Sequence, residues 1–505
     1  MSYSLVALLT AASALSVPPA GAVVPPVVTV TVATGAARSL GEPVAVQDPA
    51  VSAVVATSFG PAGARALAWT RRAGEHGWAA DGAILPDGFG SSYDASATAV
   101  PGGPLLVVAG TAPPGESCID HGSVAIATVG SDGRLGPARL VSDQRGTGSF
   151  DDRPAVAAGT AGMVWVAWSQ GGNADACQDV GTSDRIEVAA SRDGGVNFGS
   201  PVALPSAGGV SAFGARLAPL GSGRVAASWT EQMGNGAEAV LVSVLGTSGV
   251  PSPPRQVLAG DPPPLVLPGA SFYDFPAGDV AVAGGTLVVA VPLWRSGHAV
   301  IALATGTLNS TTGTPDEQWL TSAVSPPAGA DLLLPALARA GPGRVRLLCA
   351  VHWRAGDRLG YESADLSVPR SSDGPAPAAA LGGLVPATPA PSGPGFYEIG
   401  EEISLAPAPG GLLASVVVAG EAGARLQTLA WRTPAAPAAP VGPSAKTSRP
   451  SAAAPAGTAA RAAASHAAAR RWTGRLTAAR TAAALFLLAA ALSAWRLRRR
   501  RAARR

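Results

Sequence analysis

Short runs of Val, Leu, Ala and Trp alternate along most of this chain with clusters of Gly, Pro, Ser and Asp. PAVAAGTAGMVWVAWSQ from Pro154, ARLAPLGSGRVAASWTEQ from Ala215 and PALARAGPGRVRLLCAVHW from Pro335 show the pattern. The runs are too short and too often interrupted for helices, and their β-branched and aromatic residues predict strands joined by turns. One unit recurs: a small-residue strand, a Gly/Pro turn, then a β-rich strand ending near tryptophan. Its copies begin near Pro49, Tyr93, Pro154, Ala215, Asp279, Pro335 and Glu402. Spacings of roughly 45 to 67 residues suit the four-stranded blades of a β-propeller with some long loops.

The expected fold is therefore all-β, a six- or seven-bladed β-propeller over residues 23–432. Seven copies predict seven blades, and six would follow if the short first copy is incomplete. The third unit resolves into strands at Pro154–Ala158, Met163–Ser169, Arg185–Ser191 and Pro201–Leu204. PVAV from Pro43 resembles the fourth of these, while the last copy, Glu402 to Arg432, lacks a fourth strand before the sequence changes character. The expectation is that an N-terminal strand completes the last blade and so removes the open edges of the ring.

Both ends depart from the strand pattern. Leu5 to Val17 is apolar and leads to Ala20-Gly21-Ala22, which predicts a signal peptide over residues 1–22. The basic residues usual before such a stretch are missing from MSYS, so the signal is atypical or the start lies upstream. Residues 433–475 are almost entirely Ala, Pro, Ser and Arg, a composition that cannot build a core and predicts a disordered stalk. A similar stretch, Ser371 to Gly395, reads as a long surface loop. Thr481 to Trp495 is uncharged and, with Leu476 to Ala479 and a snorkelling Arg480, makes a transmembrane helix over residues 476–495. RLRRRRAARR, residues 496–505, would hold the C-terminus in the cytoplasm by the positive-inside rule. The predicted localisation is the cell membrane, single-pass, with the N-terminal ectodomain outside and the lipid bilayer as one partner.

Charge changes the partner expected for the folded part. The whole chain carries a formal net charge of +3, yet all 14 basic residues from Ser444 onward lack acidic company. That leaves 36 − 14 = 22 Lys and Arg against 33 Asp and Glu for Met1 to Pro443, a net of −11. Nucleic acid is excluded as a partner for such a surface.

Between the third and fourth strands of the third unit lies SRDGGVNF. This resembles the Asp-box, S-x-D-x-G-x-x-W/F, of sialidase-like (BNR repeat) β-propellers, with Ser191, Asp193, Gly195 and Phe198 in the matching places. In that family the box is a structural turn, so the resemblance implies no catalytic role for Asp193. It also implies what a related enzyme would need: an arginine triad, a Tyr/Glu nucleophile pair, an aspartate acid/base and an F/Y-R-I-P motif. The nearest string, FDDRPAV, has Arg153-Pro154 after a different lead and falls in the third unit. The catalytic pattern does not transfer residue by residue, so catalytic residues are expected to be none. The function expected is a non-catalytic binding or scaffold module; a divergent sialidase-like glycoside hydrolase is the alternative.

In a four-stranded meander the loops entering each first strand share one face with the second-to-third connections, and the Asp-box marks the other. The lead-in segments carry aromatic and acidic residues: Tyr93, Asp94, Asp151, Asp152, Arg153, Tyr273, Asp274 and Tyr397, with Asp48 before the copy at Pro49. Rings beside carboxylates suit a glycan or protein ligand, or a Ca²⁺ bridging one. The bland alternative is that they cap strands. No cofactor other than Ca²⁺ is expected. Cys118 and Cys177 lie in equivalent second-to-third loops of neighbouring units and predict a disulfide in an oxidising compartment, with a metal site through His121 as the alternative. Cys349 reads as a buried strand residue.

Overall fold

The computed structural model describes residues 28–34, 39–60, 63–115, 121–172, 185–264, 278–309, 314–368, 381–389, 403–420 and 423–432. The signal peptide, stalk, transmembrane helix and tail expected from the sequence lie outside them, as do Cys118, Cys177, Tyr273, Asp274 and Tyr397. No helix among the described residues is long and apolar enough to cross a membrane.

Seven four-stranded antiparallel sheets account for every strand among the described residues. The chain enters through β1 (Val28–Thr34) and then builds blade 1 from β2 (Ser39–Gln47), β3 (Val51–Gly60), β4 (Gly63–Arg72) and β5 (Ala79–Ala83). Blade 2 is β6 (Ser91–Ala99), β7 (Leu105–Ala112), β8 (Ser123–Val129) and β9 (Arg139–Leu140). Blade 3 is β10 (Ser149–Ala158), β11 (Val164–Gly172), β12 (Arg185–Ser191) and β13 (Val202–Ala203). Blade 4 is β14 (Ser211–Gly221), β15 (Arg224–Gln232), β16 (Glu238–Leu245) and β17 (Arg255–Gly260). Blade 5 is β18 (Asp279–Ala283), β19 (Thr286–Arg295), β20 (His298–Leu308) and β21 (Pro315–Val324). Blade 6 is β22 (Ala330–Gly341), β23 (Arg344–Trp353), β24 (Arg358–Ser367) and β25 (Gly382–Pro389). Blade 7 is β26 (Ser404–Ala408), β27 (Gly411–Gly420) and β28 (Gly423–Arg432), completed on its outer edge by β1.

The ring closes as the repeat count predicts, with seven blades rather than six, but not through the strand the sequence suggested. PVAV is part of β2, the innermost strand of blade 1, and the run starting near Pro49 is that blade's second strand. The actual closing strand, VTVTVAT, is more regularly alternating than any lead-in segment, and it follows directly on the apolar N-terminal region that masks it in the sequence. A second correction concerns Ser371 to Gly395. Its Pro-rich stretch contains β25, the outer strand of blade 6, because an edge strand tolerates the proline that an inner one would not.

The continuous apolar runs have a packing cause. Each middle strand is buried on both faces, so alternation is lost. In β7, Leu105, Val107 and Ala109 pack toward blade 1, while Leu106 and Val108 pack toward blade 3. In β23, Leu347, Cys349 and Val351 face blade 5, and Leu348 and Ala350 face blade 7. The seven hydrophobic clusters are the seven seams between neighbouring blades, including the seam of blades 7 and 1 at Leu40, Val54, Leu413 and Leu426. Cys349 is buried as a strand residue in the seam of blades 5 and 6, and burial pushes its thiol far above the usual range.

The inner strands are joined across seams by side chains that accept backbone N–H bonds from the next blade. Ser96 Oγ accepts from Val156 N at 3.2 Å and Thr98 Oγ1 from Ala158 N at 3.2 Å. Asp279 Oδ2 accepts from Leu337 N at 2.6 Å, and Ser404 Oγ from Ala45 N at 2.7 Å. These strands surround a central channel of about 720 Å³, walled largely by Ala, Val and Leu, with Arg216 and Arg339 among its few charged residues.

Candidate functional site

The lead-in residues of blades 2 and 3, Tyr93, Asp94, Asp151, Asp152 and Arg153, lie in strands and not in loops. In five blades the inner strand runs past its apolar segment to pair with the end of the second strand, and the ladder slips at the same place in each. The slips fall at Gly41/Val44, Tyr93/Ser96, Asp152/Ala155, Phe213/Arg216 and Leu333/Ala336. Within each slip one residue has positive φ: Glu42 (52°), Asp94 (48°), Arg153 (50°), Gly214 (66°) and Leu334 (49°). Such a β-bulge inserts an extra residue and turns the strand, and the left-handed conformation costs a non-glycine residue about 1 to 2 kcal/mol. Pro or Ala follows in every case: Pro43, Ala95, Pro154, Ala215 and Pro335. Because the inner strands run in the same direction around the channel, the bulges form a ring at one rim, and residues just before them share that rim. The interrupted alternation is what made these segments read as loops.

Asp94, Asp151, Asp152, Arg153 and Tyr93 therefore stand together near blades 2 and 3, where Glu42 of blade 1, which sequence reasoning missed, joins them. Glu42 is 6% exposed, and its Oε2 accepts from Thr57 Oγ1 (2.8 Å) and from the backbone N of Asp94 (3.0 Å), tying one bulge to the next. The signal for it was the G-E-P string aligned with Y-D-A and D-R-P, legible only once Ser39–Gln47 is known to be an inner strand.

Tyr93 lies against Gly110, where a Cβ would come within 2.6 Å of the ring; a glycine is required there. Its hydroxyl is buried without a hydrogen-bond partner. Burial, and then the carboxylates of Asp152, Asp94, Asp151 and Glu42, push its pKa well above the usual phenol value. Asp151 is fully buried, accepts from Gln144 Nε2 (3.1 Å) and Gln170 Nε2 (3.2 Å), and has its pKa raised to about 6 by burial. Asp152 lies 3.9 Å from the Arg153 guanidinium, which in turn sits 6.0 Å from the centre of the Phe213 ring. Asp48, by contrast, is in the turn after β2 on the opposite side, where its carboxylate caps Ala50 N and Val51 N. The shift of strand assignment in blade 1 moves it there.

Blade 6 has its own acid one residue earlier than Asp151, at the position of Phe150. Asp331 is fully buried, receives two bonds from Arg354 at 2.7 Å, and accepts from the buried Ala299 N of blade 5 at 2.8 Å. Arg354 also donates to Gly297 O and lies over Trp294 at 5.4 Å. In blade 4, Glu231 is buried and organises the incoming segment by accepting from Ala207 N, Gly209 N, Ser206 Oγ and Trp229 Nε1. Nearby in that blade, Glu238 is 2% exposed, its Oε2 has no partner, and burial raises its pKa to about 8.

A raised carboxylate pKa makes the folded state hold a proton the unfolded chain has released. Stability then falls as pH rises from the unfolded value through the folded one. Glu238 acts up to about pH 8 and Asp151 only up to about pH 6, so the interval from pH 6.5 to 8 isolates Glu238. Stability should fall by about 1.5 kcal/mol across it in the natural chain. Glu238→Gln should flatten that slope; urea melts at the two pH values read it, and an unchanged slope would remove Glu238 as its source.

The Asp-box forms the turn expected on the opposite rim, between β12 and β13. Ser191 Oγ donates to Asp193 Oδ1 at 2.7 Å and accepts from Gly195 N at 2.9 Å, while Asp193 accepts from Asn197 N and Nδ2. These bonds hold the Asp193 carboxyl well below the usual range. Gly194 and Gly195 have φ of 74° and 88°, which the tight turn requires. Phe198 packs against the seam of blades 2 and 3. Plainer turns occupy the same place in blades 2 and 4, around Asp132 and Ser248.

The arginines of the inner strands do not share one level. Arg153 is at a bulge, Arg216 directly below one, and Arg339 three residues further along its strand. Among the described residues, no three His, Cys, Asp or Glu side chains are grouped to hold a metal ion.

No family model matches the chain, and no curated protein matches it in sequence. Solved structures with a similar fold include a point mutant of the NanB sialidase from Streptococcus pneumoniae, 11% identical with a TM-score of 0.42 over 62% of this chain. This chain spans 65% of the length of that sialidase. The Hadza microbial sialidase Hz136 is 12% identical with a TM-score of 0.41, covering 73% of each chain. An ulvan lyase of polysaccharide lyase family PL25 is 12% identical with a TM-score of 0.45, covering 78% of this chain and 94% of that one. Seven four-stranded blades in a closed ring, one of them carrying an Asp-box turn, make the described part of the chain a seven-bladed β-propeller in fold.

Proposed function

We propose that this chain is a non-catalytic binding module at the cell envelope, a propeller held outside the membrane by its C-terminal helix and offering its bulged rim to a glycan. The observation that carries the reading is the ring of bulges, which gathers Tyr93, Asp94, Asp152 and Arg153 from separate blades at one rim. Four non-glycine residues in left-handed conformation at matching positions are a cost that a purely structural ring would avoid with glycine. Side chains that pair hydroxyl, carboxylate and guanidinium groups suit the hydroxyls of a sugar. The anchoring part of the proposal rests on the apolar run over residues 476–495 and the arginines after it.

A hydrolase of the sialidase type is disfavoured by the inner-strand arginines Arg153, Arg216 and Arg339, which stand at different levels of their strands instead of converging as a triad. Screening the full-length chain on a glycan array and against fluorogenic glycosides tests both readings. Saturable glycan binding without turnover, insensitive to EDTA, is the expected result. Turnover of a glycoside that Tyr93→Phe abolishes would replace the proposal with the hydrolase.

A further inference from the structure

We infer that the channel mouth on the Asp-box side, beside blade 5, binds a single-chain anionic amphiphile, its acyl tail along the apolar walls and its acidic head between Arg224 and Arg339. The site lies on the rim opposite the bulges and stands independently of the glycan reading. The channel of about 720 Å³ falls within the roughly 300 to 1,000 Å³ of pockets that enclose small molecules. At this end it spreads outward between blades 4 and 5 over Leu220, Val282 and Leu308, all half-buried against the core of that seam, with Pro219 exposed beside them. An incoming chain reaches these apolar side chains from solvent. The polar side chains of the wall are already engaged. Ser96, Thr98 and Ser404 accept backbone N–H bonds from the neighbouring blades. Asp279, the one acid among the described residues lining the channel, accepts from Leu337 N at 2.6 Å and from Val280 N at 2.7 Å, so both its oxygens are occupied. A wall of this kind suits an alkyl chain, which gains by leaving water.

Charge selects the head group. Arg339 lines the channel, is exposed, and has no hydrogen-bond or ion-pair partner among the described residues. It shares its strand face with Leu337, which packs in the seam of blades 5 and 6. Arg224 shares its face with Ala226 of the seam of blades 4 and 5, and its Nε is buried with no hydrogen-bond partner. The two arginines therefore turn toward blade 5 from either side. Between them that blade turns on Gly284 and Gly285, with φ of 64° and 86°, and nothing lies within 4 Å of where a Cβ on Gly285 would stand. Two guanidinium groups thus flank a gap that no side chain fills. The acids nearby in blade 5 are committed elsewhere, Asp316 to Thr307 and Glu317 to Arg255. Among the described residues, the turns that join first to second strands hold a single acid, Asp48, which caps its own turn in blade 1. A carboxylate or phosphate matches the planar fork of guanidinium donors, and it supplies the acceptor that the buried Arg224 Nε lacks.

The test is calorimetric titration of the full-length chain in nanodiscs, with the heat of empty nanodiscs subtracted. The probes are laurate, lauroyl lysophosphatidate, monolaurin and dodecyltrimethylammonium, each below its micelle concentration. The anionic probes should bind one per chain, at least about tenfold tighter than neutral monolaurin, with the cation weaker still. Laurate ahead of the lysophosphatidate marks the site as one for free fatty acids, and the reverse as one for lysolipids; either supports it. Arg224→Gln with Arg339→Gln should weaken anionic binding at least about tenfold and leave monolaurin unchanged. Should the double variant fail to melt cooperatively, Arg339→Gln alone, at an exposed position, carries the same decision. A laurate bearing a diazirine should cross-link to peptides containing Leu220 or Val282, and labelling confined to other parts of the chain would overturn the placing of the tail. Monolaurin binding as tightly as laurate, or anionic binding unchanged in the arginine variants, would overturn the inference. So would heats no larger than those of the empty nanodiscs.

Discussion

Removing Val28–Thr34 should open the ring and destabilise the whole propeller. β1 pairs with β28 from Val28↔Ala430 to Thr34↔Arg425, and among the described residues no other strand covers that edge of blade 7. Its loss uncovers a row of β28 backbone groups, at about 1 kcal/mol net for each hydrogen bond. It also withdraws Val32 and Ala33 from the seam where Leu413, Val417 and Leu426 pack against Leu40 and Val54. The sum is on the order of 5 kcal/mol, which for a fold of this size lowers the melting midpoint by about 6 °C. Calorimetry of the truncated chain reads the effect directly. A peptide of sequence VTVTVAT added in excess should recover part of it, since an exposed sheet edge accepts a strand in trans. A truncated chain that melts like the natural one would mean that blade 7 does not need closing.

The second large effect is expected from Asp331→Ala. This carboxylate is buried at the seam of blades 5 and 6, where it holds both Arg354 and the backbone N of Ala299. Truncation leaves the buried Ala299 N–H without an acceptor and frees a guanidinium that also bridges to Gly297 O and covers Trp294. Losing one partner of a fully buried pair costs about 3 to 5 kcal/mol, but Arg354 is half exposed and water relieves part of the loss. About 3 kcal/mol is the expected total. Asp331→Asn keeps the volume and one acceptor oxygen, so it should fall roughly halfway. Urea denaturation of the pair of variants gives both numbers, and an alanine variant no weaker than the asparagine one would show that the bonds contribute nothing.

Both expectations depend on seams, and the seams are where sequence and structure divide the information. The blade count was legible because each unit repeats the same apolar run, and a run buried on both faces keeps its character wherever it occurs. The Asp-box turn was legible because its bonds are local: Ser191, Asp193, Gly195 and Asn197 lie within a few residues of one another. Ring closure could be inferred from a last copy lacking a fourth strand. Which strand closes it could not, because VTVTVAT and PVAV are both plausible edge strands and only pairing with a partner some 400 residues away distinguishes them.

The rim divides in the same way. That Tyr93, Asp94, Asp151 and Asp152 precede apolar strands is written in the chain, and strand parity sends them to one side. Their burial, the bulge that turns them and the approach of Glu42 come from the packing of three blades together. The same holds for Asp331 and Arg354, whose neighbours Ala299 and Trp294 belong to another blade. Sequence by itself determined the repeat, its apolar middle strands and the local Asp-box turn of this protein, because those rest on periodicity and near-neighbour bonds. Only the tertiary structure decided which strand closes the ring and which charges meet, because burial and long-range contact set both.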